Sequence, residues 1–103
     1  MAIQTTQLTS TTVSTVYTSS GNSAITTVYF CNTSGATVQA NVYAVASGGT
    51  ATAATQIYSQ LTIAGYDTYI MEMERLLYVD GDTLQVKSSA TNGLTVTVSY
   101  TGI

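Results

Sequence analysis

The sequence predicts an all-β chain, a single small antiparallel β-sandwich or jelly roll of seven to eight strands. Three observations carry that expectation. Apolar and polar residues alternate with a period of two along most of the chain. Clusters of Gly, Asn, Ser and Asp interrupt the alternation about every 8–12 residues. Thr, whose branched side chain packs well on a pleated surface, supplies 21 of 103 residues.

The elements follow in order. Residues 1–12 are polar and carry only Ile3 and Leu8 as spaced apolar anchors, so they read as a flexible N-terminal arm that either frays or adds to a neighbour's sheet. Residues 13–103 form the sandwich domain. A strand is expected over 12–18, a turn at 19–23 and a strong strand over 24–31. Asn32-Thr33-Ser34-Gly35 turns the chain into a strand over 37–46. The small-residue loop 47–54 precedes a strand over 56–63, and Gly65 turns it into another over 67–73. Met, Glu, Arg and Leu near 70–77 favour helix, but eight residues between two strands are too few for a stable one; a short turn near 74–76 is allowed. Tyr78-Val79-Asp80-Gly81-Asp82 is the next reversal. Leu84 and Val86 then point one way, and Leu94, Val96, Val98 and Tyr100 share a face in the last strand. Between them Asn92-Gly93 closes what reads as a hairpin.

Charge narrows the function. Seven side chains are formally charged: Arg75 and Lys87 against Asp67, Glu72, Glu74, Asp80 and Asp82. Two basic residues cannot line a nucleic-acid groove. One Cys and no His exclude the usual zinc ligand sets and Cys–His or Ser–His catalysis. Asp80-Gly81-Asp82 lacks the further carboxylates of a calcium loop and reads as a turn. Glu72 and Glu74 share one strand face next to Arg75, which suits a solvated or interfacial patch better than a glycosidase pair facing across a cleft. The sequence therefore predicts no catalytic residue, no metal and no cofactor. Cys31, beside Tyr29 and Phe30, reads as a small buried hydrophobe. Asn32-Thr33-Ser34 fits a glycosylation pattern, but no signal peptide and no apolar run near the ~20 residues of a membrane span accompany it.

A surface built from Thr, Ser, Gln, Asn and Tyr with 7% charged residues suits a protein covered by neighbours. An extracellular domain from a saline habitat is the alternative. Eight tyrosines sharpen the point, because a core this small cannot hold them all and each hydroxyl needs a partner. Tyr43, Tyr58, Tyr66, Tyr69 and Tyr78, with Ile3 and Leu8 of the arm, are the candidate protein-interface residues.

A resemblance adds an address. The run Ile25-Thr26-Thr27-Val28-Tyr29-Phe30-Cys31-Asn32-Thr33-Ser34-Gly35 continues through 38–45 into Ser47-Gly48-Gly49. It is followed by Ile57-Tyr58, by Leu61 to Thr68, and by Gly81-Asp82-Thr83-Leu84-Gln85-Val86. This succession resembles small virion proteins of tailed bacteriophages, over residues 13 to 103; Ala46 stands where that pattern often has Pro. The resemblance implies a non-enzymatic structural protein made in the host cytoplasm and built into the virion, on the capsid exterior as a decoration or cement protein. Its implied partners are other virion proteins, first the major capsid protein, and copies of itself, with a trimer favoured; neither nucleic acid nor membrane is among them. A tail, neck, baseplate or fibre component, and a carbohydrate-binding adhesin module, are the alternatives.

Overall fold

Eight strands follow one another: β1 (Ala2–Leu8), β2 (Ser14–Thr18), β3 (Ser23–Asn32), β4 (Val38–Val45), β5 (Gln56–Ile63), β6 (Thr68–Tyr78), β7 (Thr83–Ser88) and β8 (Leu94–Gly102). The structure is a computed structural model. It describes the backbone of residues 2–102, with their side chains apart from those of residues 73–77. Sheet A has the order β1-β8-β3-β6 and sheet B the order β2-β7-β4-β5, with every pairing antiparallel.

The strand order has a simple origin. β1 pairs with β8, β2 with β7, β3 with β6 and β4 with β5, so each pair of numbers adds to nine. One long antiparallel ribbon, folded at the β4–β5 tip, produces those pairs. Rolling the ribbon sets β8 against β3 and β7 against β4. This is the double Greek key of a jelly roll, which decides between the two architectures the sequence allowed.

Period-two burial places the core between the sheets. In β8, Leu94, Val96 and Val98 are fully buried while Thr95, Thr97 and Ser99 face outward. Val28 and Phe30 of β3, Val38, Ala40 and Val42 of β4, and Leu84 and Val86 of β7 complete the interior with Val16, Tyr17, Ile25, Leu61, Ile63 and Met71. Truncating the fully buried Phe30 to Ala is a change of the kind that costs about 3–5 kcal/mol.

Two expectations are corrected. Residues 2–8, read as a loose arm, form β1 in unbroken seven-residue register with β8, because Leu8 anchors it in the core and its backbone completes the ladder. Strands β7 and β8, read as a hairpin, belong to opposite sheets. Asn92 does adopt a left-handed φ of 58°, but the turn carries the chain across the core so that both apolar faces meet there. Among the described strands, only β4 and β5 are paired neighbours in sequence. No turn interrupts 74–76; the backbone of β6 runs through it as strand.

Buried polar groups pin the ends of the roll. Asn32, 1% exposed, donates through Nδ2 to the carbonyls of Ala36 (2.7 Å), Ile63 (3.1 Å) and Ala64 (3.1 Å). Its Oδ1 accepts from the amide and hydroxyl of Ser34 at 3.0 and 2.7 Å. The turn after β3 and the end of β5 are thereby tied to one side chain. Here Gly65 lies so close to Gly35 that a Cβ would overlap the Gly35 carbonyl oxygen. Gly65→Ala is therefore expected to lower stability by about 1–3 kcal/mol or more in urea unfolding, whereas Gly102→Ala, with nothing within 4 Å, leaves it unchanged.

At the opposite end the Tyr17 hydroxyl meets Ser23 Oγ at 2.5 Å, and Ser19 Oγ meets the same Ser23 oxygen at 2.7 Å. Tyr78 packs edge-on against Tyr17 with ring centroids 5.9 Å apart, yet its own buried hydroxyl has no partner among the described residues. Burial foremost, then the charge of Asp82 and the neighbouring Tyr17, push its ionisation far above the ordinary 10.0. The folded state thus holds this proton more tightly than the unfolded chain, so the linked stability is complete below pH ~10 and is lost as pH rises beyond it. Tyr78→Phe is expected to raise stability by about 1 kcal/mol at neutral pH, since an orphaned buried hydroxyl disappears. It should also blunt the alkaline loss in denaturation followed from pH 8 to 11.

Candidate interaction surface

The seven interface candidates divide by location. Leu8, Tyr43 and Tyr78 are buried at 1%, 8% and 5% exposure and are corrected as surface residues of this chain. Leu8 and Tyr78 belong to the main core, and Tyr43 is buried outside it. Ile3 and Tyr66 are exposed, at 68% and 80%. Tyr58 lies at the border of exposure and Tyr69 is half-buried.

Pairing register groups the exposed residues into rows across the outer face of sheet A. One row reads Thr5–Thr97–Tyr29–Ile70 and the next Ile3–Ser99–Thr27–Glu72. A third reads Gln7–Thr95–Cys31–Thr68, which places Cys31 half-buried on the outer face rather than in the core. Tyr29 and Ile70 are directly opposed and remain exposed, at 39% and 51%. Glu72 is the single charge among these twelve positions. The face therefore offers an apolar centre, a threonine field and no ionic rim on its β1 side.

Tyr29 and Ile70 were not among the sequence candidates. The signal for Tyr29 was available: Val28 and Phe30 face inward, so the residue between them faces out. Ile70 follows from Tyr69 and Met71 in the same way, once β6 is read as alternating.

A second group closes the corner between β5 and β6. The Tyr58 and Tyr69 hydroxyls are 3.2 Å apart, with ring centroids 6.2 Å apart in an edge arrangement. Tyr69 also leans on the core Phe30 at 6.5 Å. The pair therefore links sheet B to sheet A at their open edge. Hydrogen bonding to Tyr58 is the main cause that raises the Tyr69 ionisation above 10.0. Beyond the corner, Tyr66 adopts a left-handed φ of 56°, and its amide donates to the Ser34 carbonyl at 2.9 Å. A Cβ on Gly35 would sit 3.3 Å from the Tyr66 ring, so the glycine gives that ring room beside the turn.

Sheet B is mostly polar outside, although Ile57 of β5 is 44% exposed. Gln39, Asn41, Gln60, Lys87, Ser88 and Ser89 line a shallow groove of about 110 Å³. Gln60 has a left-handed φ of 52°, and its amide donates to Asn41 Oδ1 at 2.7 Å. The register breaks here, between Leu61 and Tyr58, and again between Tyr58 and Gln56.

The carboxylates serve the backbone. Asp82 accepts from the amides of Ser47 (2.9 Å) and Val79 (3.0 Å), Asp80 from Gly21 (2.8 Å) and Asp67 from Thr68 (2.9 Å). Asp80-Gly81-Asp82 is thus a turn whose acids hold neighbouring loops. Among the described residues, no three His, Cys, Asp or Glu side chains gather to hold a metal ion. No helix of the described chain is long and apolar enough to cross a membrane.

No protein-family model, curated protein or solved structure matches the chain.

The Tyr58–Tyr69 contact has a direct readout. Tyr58→Phe is expected to bring the Tyr69 ionisation down toward 10.0 in an ultraviolet titration; an unchanged titration would mean the two hydroxyls do not meet in solution.

Proposed function

We propose that the chain is a non-enzymatic structural protein of a tailed-bacteriophage particle, a decoration protein that binds outside the capsid and bridges its subunits. The observation that carries this reading is the row Thr5–Thr97–Tyr29–Ile70, an uncharged and partly apolar stripe across a whole sheet. It sits on a chain with only seven formal charges. Fully burying a large apolar side chain contributes about 1.5–3 kcal/mol. Ile3, Tyr29 and Ile70 thus offer useful contact energy while Thr hydroxyls supply short hydrogen bonds. The scarcity of charge suits permanent contact, since charged rims chiefly accelerate encounter. Bridging several subunits makes individually weak contacts effective, and the shell then resists separation of the subunits that share one decorating copy.

One observation favours a second reading. The groove lined by Gln39, Asn41, Gln60, Lys87, Ser88 and Ser89 has the hydrogen-bonding groups of a carbohydrate site. Its lining includes no aromatic ring on which a sugar would stack, which places this reading second.

The test mixes purified protein with empty shells of the phage that encodes it and sediments the mixture. Wild type is expected to pellet with the shells, and Ile70→Asp to remain largely in the supernatant, at least tenfold weaker. Wild-type protein left in the supernatant would overturn the capsid reading; pelleting with isolated tails instead would move it to the tail.

A further inference from the structure

Each sheet has two edges, and three of the four are blunted. β2 is five residues long and its register shifts between Thr15 and Tyr17. β5 carries two register breaks and the left-handed Gln60. β6 breaks register opposite Ile25–Thr27 and bears the exposed Glu72. Short length, bulges and charge are the usual devices against edge pairing. β1 has none of them. It is seven residues long, in continuous register with β8, without charge and without Pro. Residues 2–5 are exposed on both faces of the sheet.

We infer that β1 is a docking edge for the β1 strand of a second copy, paired antiparallel about a two-fold axis through Thr5. This register uses the entire strand: Ala2 faces Leu8 of the other copy, Ile3 faces Gln7, Gln4 faces Thr6 and Thr5 faces its own counterpart. A two-fold pairing sets like residues opposite one another at the axis, so any charge there would repel itself. β1 presents threonine there. Thr5 Oγ1 already lies 3.3 Å from Thr97 Oγ1 within one chain. Dimerisation extends that contact into a row of four threonines across the junction, flanked at each end by a Tyr29–Ile70 pair. The two A sheets become one sheet of eight strands, and the otherwise open amides and carbonyls of β1 are satisfied. Ile3 packs against the aliphatic stem of Gln7 from the other copy. The product is a dimer, in contrast to the trimer that the family resemblance implies.

This inference does not rest on the capsid reading: solution mass tests the one and shell binding the other. Wild-type protein in sedimentation equilibrium is expected to reach about twice the 10.7 kDa chain mass as concentration rises. Thr5→Lys and Thr5→Asp each place like charges at the axis and are expected to stay at single-chain mass. Mixing the two variants in equal amounts should restore the double mass, which also demonstrates that both are folded. A wild type that stays monomeric, a trimer whose mass ignores Thr5→Lys, or a mixture that fails to associate would each overturn the inference.

Discussion

Sheet A exists because β8 slots between β1 and β3, and the rest of the molecule depends on that insertion. Leu94, Val96 and Val98 fill the centre of the core from β8, while its backbone holds the first strand on one side and the third on the other. The two ends of the chain are therefore hydrogen-bonded to each other, and most of the ladder joins residues far apart in sequence. Such closures carry loop entropy that local contacts do not offset in advance. The fold secures the geometry with short-range clamps: Asn32 at one end of the roll, the Tyr17–Ser23–Ser19 hydroxyls at the other, and aspartates in the turns.

Those clamps also account for the surface. Asp67, Asp80 and Asp82 are engaged with backbone amides in loops. Among the described side chains, the outer face of sheet A carries threonines, Tyr29, Ile70 and Ile3, with Glu72 toward β6. Sheet B is different outside, with amide side chains and Lys87 around a bulge. The two faces of one small roll thus differ in chemistry, and the outer face of sheet A adjoins the uncharged, unbulged β1 edge.

Much of the local structure was legible in the sequence. The strand over 56–63 coincides with β5, and the alternation of 94–100 names the buried and exposed residues of β8. Pairing was not legible. Asn92-Gly93 has hairpin chemistry, but turn residues record only that the chain reverses, not whether the next strand lies beside the last or across the core. The interface candidates show the same boundary. Counting tyrosines established that some must be exposed, yet Tyr43 is buried although Gln39 and Asn41, four and two residues earlier, are not. Burial of an outward position depends on which distant segment crosses it, here near the point where Thr55 accepts the amide of Ala44. Register, in turn, is what brings Ile70 beside Tyr29, and no local pattern encodes it.

We propose the outer face of sheet A as the contact side of the molecule. An electron cryomicroscopy reconstruction of the proposed virion tests it most directly. The account predicts Tyr29 and Ile70 packed against neighbouring protein, with the sheet B groove toward solvent; a reconstruction with Tyr29 and Ile70 in solvent and the groove occupied would contradict it.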